Sequence, residues 1–169
     1  MVGGCRNAED AARVQELKKI AEDIDLTRSV MFLVNAPYET VQQYLASSSV
    51  GLHTMRDEHF GISVVEFLAA GLIAVANDSA GPKQDIVVPA FPRGGKKYRM
   101  EAEGAEKATG FLAGTIDEYV EALQFIFSHE EQLEGIRANG RERSKMFSTE
   151  KFVKTFKEKL IAMLNWGVC

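Results

Sequence analysis

Five apolar residues in a row, Leu72 to Ala76, most narrow what this chain can fold into. A strand that alternates apolar and polar residues can leave one face in water. An unbroken apolar run needs cover on both faces, as in a parallel sheet between helices. Ahead of it, Ile62 to Ala70 reads as a helix, with Gly71 placed to close it in the left-handed conformation. Val64, Val65, Phe67, Leu68, Ala69 and Ala70 leave that helix no polar stripe, so it is expected to be buried on every side. Glu66 is the exception within it. An ionised carboxylate taken out of water is costly unless something pairs with it, so Glu66 calls for a partner, a ligand or an opening to solvent. The polar cluster Asn77 to Pro82 then falls just past the strand's carboxyl end, the edge where open α/β sheets bind ligands.

The rest of the chain repeats the alternation of strand and helix. Gly3-Gly4 is a flexible turn, and Asn7 with Asp10 three residues on is an approximate capping box opening a helix over Ala8 to Asp23. Ala11, Val14, Leu17, Ala21 and Ile24 form its inward stripe. A glycine turn feeding a helix can hold phosphate through its N–H groups, or be only a tight connection. Ser29 to Val34 reads as a strand ended by Asn35-Ala36-Pro37, and Tyr38 to Ala46 as a helix with Val41, Tyr44 and Leu45 inward. Strands are expected at Val50 to His53 and at Gly110 to Ala113. Thr115 to Glu118 is a capping box for a helix through Phe127, and Glu130 to Met146 reads as a further helix with Leu133, Ile136 and Met146 on one side. Ser148 caps a terminal helix over residues 148–165, striped by Phe152, Val153, Phe156, Leu160, Ile161 and Leu164. Residues 89–109, with Arg93, Lys96, Lys97 and Arg99, read as an exposed loop that is either solvated or touches anionic lipid headgroups. The expected architecture is α/β, a Rossmann-like three-layer α/β/α sandwich with a parallel sheet, in one domain spanning 1–169.

Composition excludes several classes. With 169 residues, 46% hydrophobic, the chain can bury a real core, and a net charge of −4 argues against nucleic acid as a partner. Cys5 and Cys169 make no disulfide framework, and with His53, His59 and His129 they show no metal-ligand spacing. The longest apolar stretch, interrupted by Glu66 and Gly71, falls short of the ~20 residues that cross a bilayer. Eight apart in sequence with a glycine between, Glu58 and Glu66 are expected at different depths along a ligand. A hydrolytic acid and base would instead flank one bond at ~5–10 Å.

Glu58 and Glu66 enclose seven residues, the Glu-x₇-Glu pattern, within LHTMRDEHFGISVVEFLAAG, which is followed by SAGPKQDIVVP and preceded far upstream by VGGCRNAEDA. Together these stretches resemble the retaining GT-B glycosyltransferases of family 4, in particular the branch of α-1,2-mannosyltransferases that extend dolichol-linked oligosaccharide. His59 agrees with that branch where the wider family has glycine, and Asp85 agrees where the family has Glu; Arg56-Asp57 departs from the branch's Trp-Asn. The resemblance implies the carboxyl-terminal, donor-binding half of a GT-B enzyme. Its donor would be GDP-mannose, with no metal. Glu58 would lie at the transferred mannose as the catalytic carboxylate and Glu66 would bind the ribose. Gly3, Gly4, His59, Phe60, Gly61 and Ile62 would contact the donor, the helix start near Ile62 facing its diphosphate. Asn35 and Ala36 would floor the guanine pocket, although Asn35 also fits a plain turn-former. His53 reads as a packed residue. The resemblance further implies an upstream strand and helix carrying an Arg and a Lys for the diphosphate, and a missing domain for the dolichol-linked acceptor. The full-length protein would then work at the cytosolic face of the endoplasmic reticulum, associated with the membrane surface, and this chain alone would be a soluble, inactive piece. A UDP-sugar glycosyltransferase, a nucleotide-sugar epimerase and a non-catalytic interaction module are the competing readings.

Overall fold

The structure, a computed structural model, describes residues 1–90 and 105–165. The chain divides into two compact units, Met1–Ser47 and Ser48–Cys169.

In the first unit, β1 (Val2–Gly3) pairs in parallel with β2 (Leu33–Val34), and α1 (Ala8–Asp23) and α2 (Tyr38–Ser47) complete it. The limits of α1 are those predicted, because local chemistry sets them. Asn7 Oδ1 accepts the Asp10 N–H at 2.8 Å. The reciprocal half of the box differs from expectation: the Asp10 carboxylate accepts from the backbone N–H and Nε of Arg6, at 3.0 and 3.1 Å, one residue before the cap. An aspartate is one methylene shorter than the glutamate of a full capping box. Of the expected inward stripe only Ala21 is buried; Val14 and Leu17 are half-buried, and Ala11 and Ile24 are exposed. The strand expected from Ser29 shrinks to two residues, since Ser29 and Val30 both donate backwards to the Leu26 carbonyl in a turn. In α2, Val41 and Leu45 are half-buried while Tyr44 is exposed.

The second unit is built on β3 (Val50–His53), β4 (Ile73–Asn77) and β5 (Gly110–Ala113), all parallel and in that order. Every residue of β4 is buried, as the unbroken apolar run requires. Its side chains divide by parity: Ile73 and Val75 pack with Phe111, Ala122 and Ile126, while Ala74 and Ala76 pack with Val64, Val65 and Leu68. The first set includes α4 (Ile116–Ser128) and the second α3 (Ile62–Ala70), so helices lie on both faces of this sheet. Both halves of the Thr115 capping box are present at the start of α4.

Two expectations for this unit are corrected. First, α3 is not buried all round: Val64, Val65 and Leu68 are buried, but Ile62, Ala69 and Ala70 are exposed. A short helix is covered on the sides its neighbours reach, and alanine methyls tolerate water at little cost. Second, Glu130 to Met146 is not one helix. A 3₁₀ turn, Glu130–Gln132, precedes α5 (Glu134–Ser144), and a second, Lys145–Phe147, follows it, which turns Met146 out to solvent. The arginines of α5 also serve the backbone of neighbouring elements. Arg137 donates to the carbonyls of Ser49 and Gly71 at 2.9 and 3.0 Å, and Arg143 donates to those of Ile86 and Asp85. These arginines supply donors to carbonyls at element ends, where the backbone has none of its own to offer. Finally, α6 (Thr149–Asn165) begins at Ser148, whose Oγ accepts from the Lys151 N–H, and its apolar stripe, including Phe152, Phe156 and Ile161, is exposed. Most of the loop expected at 89–109, with its basic residues, lies outside the described residues, as does Trp166.

Candidate functional site

The carboxyl ends of β3, β4 and β5 align, with His53 opposite Ala76 and Asn77 opposite Ala113. Two connections leave this edge. One, Thr54 to Gly61, carries Glu58; the other, Asp78 to Gly81, follows β4. They are fastened to each other. The Gly81 N–H donates to the Glu58 carbonyl at 2.9 Å, and the Asp57 N–H donates to Ser79 Oγ at 2.9 Å. The approach at Gly81 is so close that a Cβ there would overlap the carbonyl oxygens of Phe60 and His59, so only glycine fits.

Glu58 is half-buried, its side chain 27% exposed. Its Oε2 stands 3.9 Å from Nε2 of His53, beyond hydrogen-bond reach but close enough for attraction to a protonated imidazole. His53, read from sequence as a packed residue, is largely enclosed, and its buried Nδ1 has no hydrogen-bond partner among the described residues. Phe60 sets its ring edge-on against Phe147 at 5.7 Å between centroids, which ties the loop to the turn after α5. His59 and Ile62 are exposed, and Gly61 is buried with φ at 99°.

Gly61 precedes α3 and caps it with no side chain, which leaves the first N–H groups of the helix for an outside acceptor. Such a helix start favours an anion through both its free donors and its dipole. Glu66 lies farther along α3, half-buried, and has no hydrogen bond or ion pair among the described residues. Among the described residues, no arginine or lysine pairs with it. A carboxylate left in this state has its acceptors available for hydroxyl donors of a ligand. On the same edge, Lys83 pairs with Asp78 Oδ1 at 3.2 Å.

The remaining predicted residues belong to the first unit. Gly3 and Gly4 line a cleft of about 200 Å³ with Asp10, Arg13, Val14, Leu17 and Leu33. Asn35, at φ 53°, spends its amide on Cys5: Oδ1 accepts the Cys5 N–H at 2.7 Å and Nδ2 donates to the Cys5 carbonyl at 3.1 Å. Its own N–H donates to Gly3 O, so what this corner retains for a ligand is the Asn35 carbonyl and Ala36. Glu58 and Phe60 to Ile62 therefore lie at one sheet edge, with Glu66 farther along the helix that starts there, while the glycines and Asn35 belong to another local structure.

Sequence reasoning missed the residues that brace the edge. Asn77 is 5% exposed, and its Nδ2 donates to the Ala113 carbonyl and to Tyr119 Oη at 3.4 and 3.3 Å. Tyr119 Oη in turn donates to the His53 carbonyl at 3.3 Å. Burial pushes the Tyr119 hydroxyl up from its ordinary pKa, against the lowering effect of the Asn77 bond. The only sequence signal for this cluster was a polar residue ending an apolar strand. Among the described residues, no three His, Cys, Asp or Glu side chains are grouped to hold a metal ion.

A sequence model of the family described as glycosyl transferases group 1 matches residues 1–143. The GDP-Man:Man(3)GlcNAc(2)-PP-Dol alpha-1,2-mannosyltransferase of Xenopus laevis is 43% identical over 157 residues, covering 92% of this chain and 29% of that protein. The chain thus spans under a third of the length of this relative. In fold it is similar to the Anabaena protein HepE in complex with UDP, at TM-score 0.75 and 19% identity, over 95% of this chain and 40% of that one. It is also similar to the carboxyl-terminal domain of the glycosyl transferase group 1 family protein LpcC from Francisella tularensis, at TM-score 0.64 and 16% identity, over 83% and 64% of the two chains.

Proposed function

The chain belongs to the group 1 glycosyl transferases, and from that premise we propose that it is the donor-binding part of a retaining α-1,2-mannosyltransferase. The donor is GDP-mannose and the acceptor a dolichol-pyrophosphate-linked oligosaccharide of N-glycan precursor assembly. Identity of 43% to a relative named for that donor and acceptor supports the substrate class. The observation that carries the site assignment is Glu66, a half-buried carboxylate without a described partner, beside a helix start without a side-chain cap.

In this reading the bond between mannose C1 and the β-phosphate oxygen breaks, GDP departs, and an acceptor hydroxyl forms the new C1–O bond as its proton passes to the departing phosphate oxygen. Charge builds on the departing diphosphate. The open N–H groups before Val64 stabilise it, a form of electrostatic preorganisation. Glu58 orients the mannose and favours positive charge developing near C1. Glu66 accepts from the ribose hydroxyls. His59, Phe60, Gly61 and Ile62 line the donor. For the first unit, we assign Gly3 and Gly4 to an anion and the Asn35 carbonyl with Ala36 to the base. No helix among the described residues is long and apolar enough to cross a membrane, and we assign the full-length protein to the cytosolic face of the endoplasmic reticulum, its acceptor held by the part of the protein beyond this chain.

Donor competition in the full-length enzyme tests the reading. GDP is expected to inhibit mannosyl transfer more strongly than UDP. Stronger inhibition by UDP would move the chain to a UDP-sugar enzyme.

A further inference from the structure

Glu58 follows a residue whose backbone is held where side chains rarely go. Asp57 has φ at 53°, and Ala80, across the clamp, has φ at 40°. A left-handed non-glycine residue is costly and persists only where its surroundings fix it. Here the surroundings form a single directed run of hydrogen bonds. The Asp57 N–H donates to Ser79 Oγ at 2.9 Å, and the Ser79 hydroxyl donates to Asn77 Oδ1 at 2.7 Å. On its other side Asn77 donates to Tyr119 Oη, and that hydroxyl donates to the His53 carbonyl. Ser79, Asn77 and Tyr119 each accept on one side and donate on the other, so the directions are mutually consistent. The run begins at Asp57 and ends at His53, the two residues that bracket Thr54, Met55 and Arg56. It therefore staples both ends of the segment that leads directly into Glu58, and its middle is anchored by the buried Asn77 at the end of β4.

We propose that Ser79 is the positioning residue of this site: by holding the Asp57 peptide it fixes where the Glu58 carboxylate stands, with Asn77 and Tyr119 as its anchor. The proposal rests on the reading of Glu58 as the carboxylate at the transferred sugar. Ser79 touches no reacting atom. Its effect passes through the loop, and the side chain suits the task because a hydroxyl can accept from one peptide and donate to one amide at the same time. Alanine can do neither. Threonine can do both.

The test uses the full-length enzyme with GDP-mannose, comparing Ser79→Ala, Ser79→Thr, Tyr119→Phe, Glu58→Gln and the Ser79→Ala/Glu58→Gln double variant. Ser79→Ala is expected to lower kcat by about tenfold or more with little change in the donor KM, the mark of misplacement and not of lost binding. Ser79→Thr should regain most of the rate, and Tyr119→Phe, which cuts the far end of the run, should lose about threefold. On the Glu58→Gln background, Ser79→Ala should cost nothing more, because the group it positions is already gone. Tryptic cleavage after Arg56, followed by mass spectrometry, should quicken in Ser79→Ala and reports on the loop without any turnover. Wild-type kcat in Ser79→Ala, beside a crippled Glu58→Gln, would overturn the proposal and leave the role of Glu58 standing. So would a Ser79→Ala loss of equal size on both backgrounds. A fully active Glu58→Gln would remove the underlying reading, and the proposal with it.

Discussion

The two units of this chain contrast in what holds their elements in place. In Met1–Ser47, Ala21 is the one buried hydrophobic residue among those described, and the paired strands are two residues long. In Ser48–Cys169, β4 is buried end to end and the apolar residues of two helices close over its faces. Yet α1 begins at its side-chain cap, as α4 does. Local chemistry sets element limits in both units, whereas burial supplies energy mainly in the second.

That contrast can be broken most decisively in the core. Leu68→Ala, at a fully buried position on α3, should destabilise the second unit by about 2–5 kcal/mol in denaturant titration. Leu17→Ala, at a half-buried position on α1, should cost about 1 kcal/mol or less. Equal costs would show that the first unit buries far more than its exposure suggests. The caps sharpen the comparison from the other side. Asn7→Ala and Thr115→Ala each remove one side-chain acceptor from a helix start and should each cost about 1 kcal/mol, alike in both units.

A smaller effect separates the units by pH. Bonds from the Arg6 backbone and guanidinium hold the Asp10 carboxyl below its ordinary value in the first unit. A lowered carboxylate pKa contributes stability that is present above the unfolded value and is lost as pH falls through the folded one. In the second unit, burial raises the Tyr119 pKa, so the folded form keeps the neutral hydroxyl. That contribution is present below the unfolded value and is lost as pH rises past it. Acid should therefore loosen the start of α1, and alkali the brace beneath the Glu58 loop. Hydrogen exchange at Asp10 and Asp57 across pH would show the two ends. Arg6→Ala, which keeps the backbone N–H bond and removes only the guanidinium, should weaken the acid limb, and Tyr119→Phe should erase the alkaline one.

These differences also explain what could be read in advance. The parallel sheet, the limits of α1, α3 and β5, and the left-handed Gly71 follow from signals within a few residues of each element. The exposed side of α3 did not, because Ala69 and Ala70 count as apolar in any sequence pattern but need no cover. Nor did the break at Leu133, where a buried leucine falls between a 3₁₀ turn and a helix. At the candidate site, the seven-residue spacing of Glu58 and Glu66 was legible. Their brace was not, since Ser79, Asn77 and Tyr119 are brought together by β4 and α4 from positions up to 42 residues apart. Likewise, the bonds between the Asn35 amide and Cys5 join residues 30 apart, beyond any local signal.

The central claim, that the sheet edge bearing Glu58 and Glu66 grips a guanosine diphosphate sugar, is tested most directly by titrating GDP into the full-length protein and its Glu66→Ala variant by calorimetry. Loss of hydroxyl hydrogen bonds to a charged acceptor predicts a fall in affinity of about tenfold or more. Equal GDP affinity in the two proteins would contradict it, and would leave Glu66 a half-buried carboxylate with no part in binding.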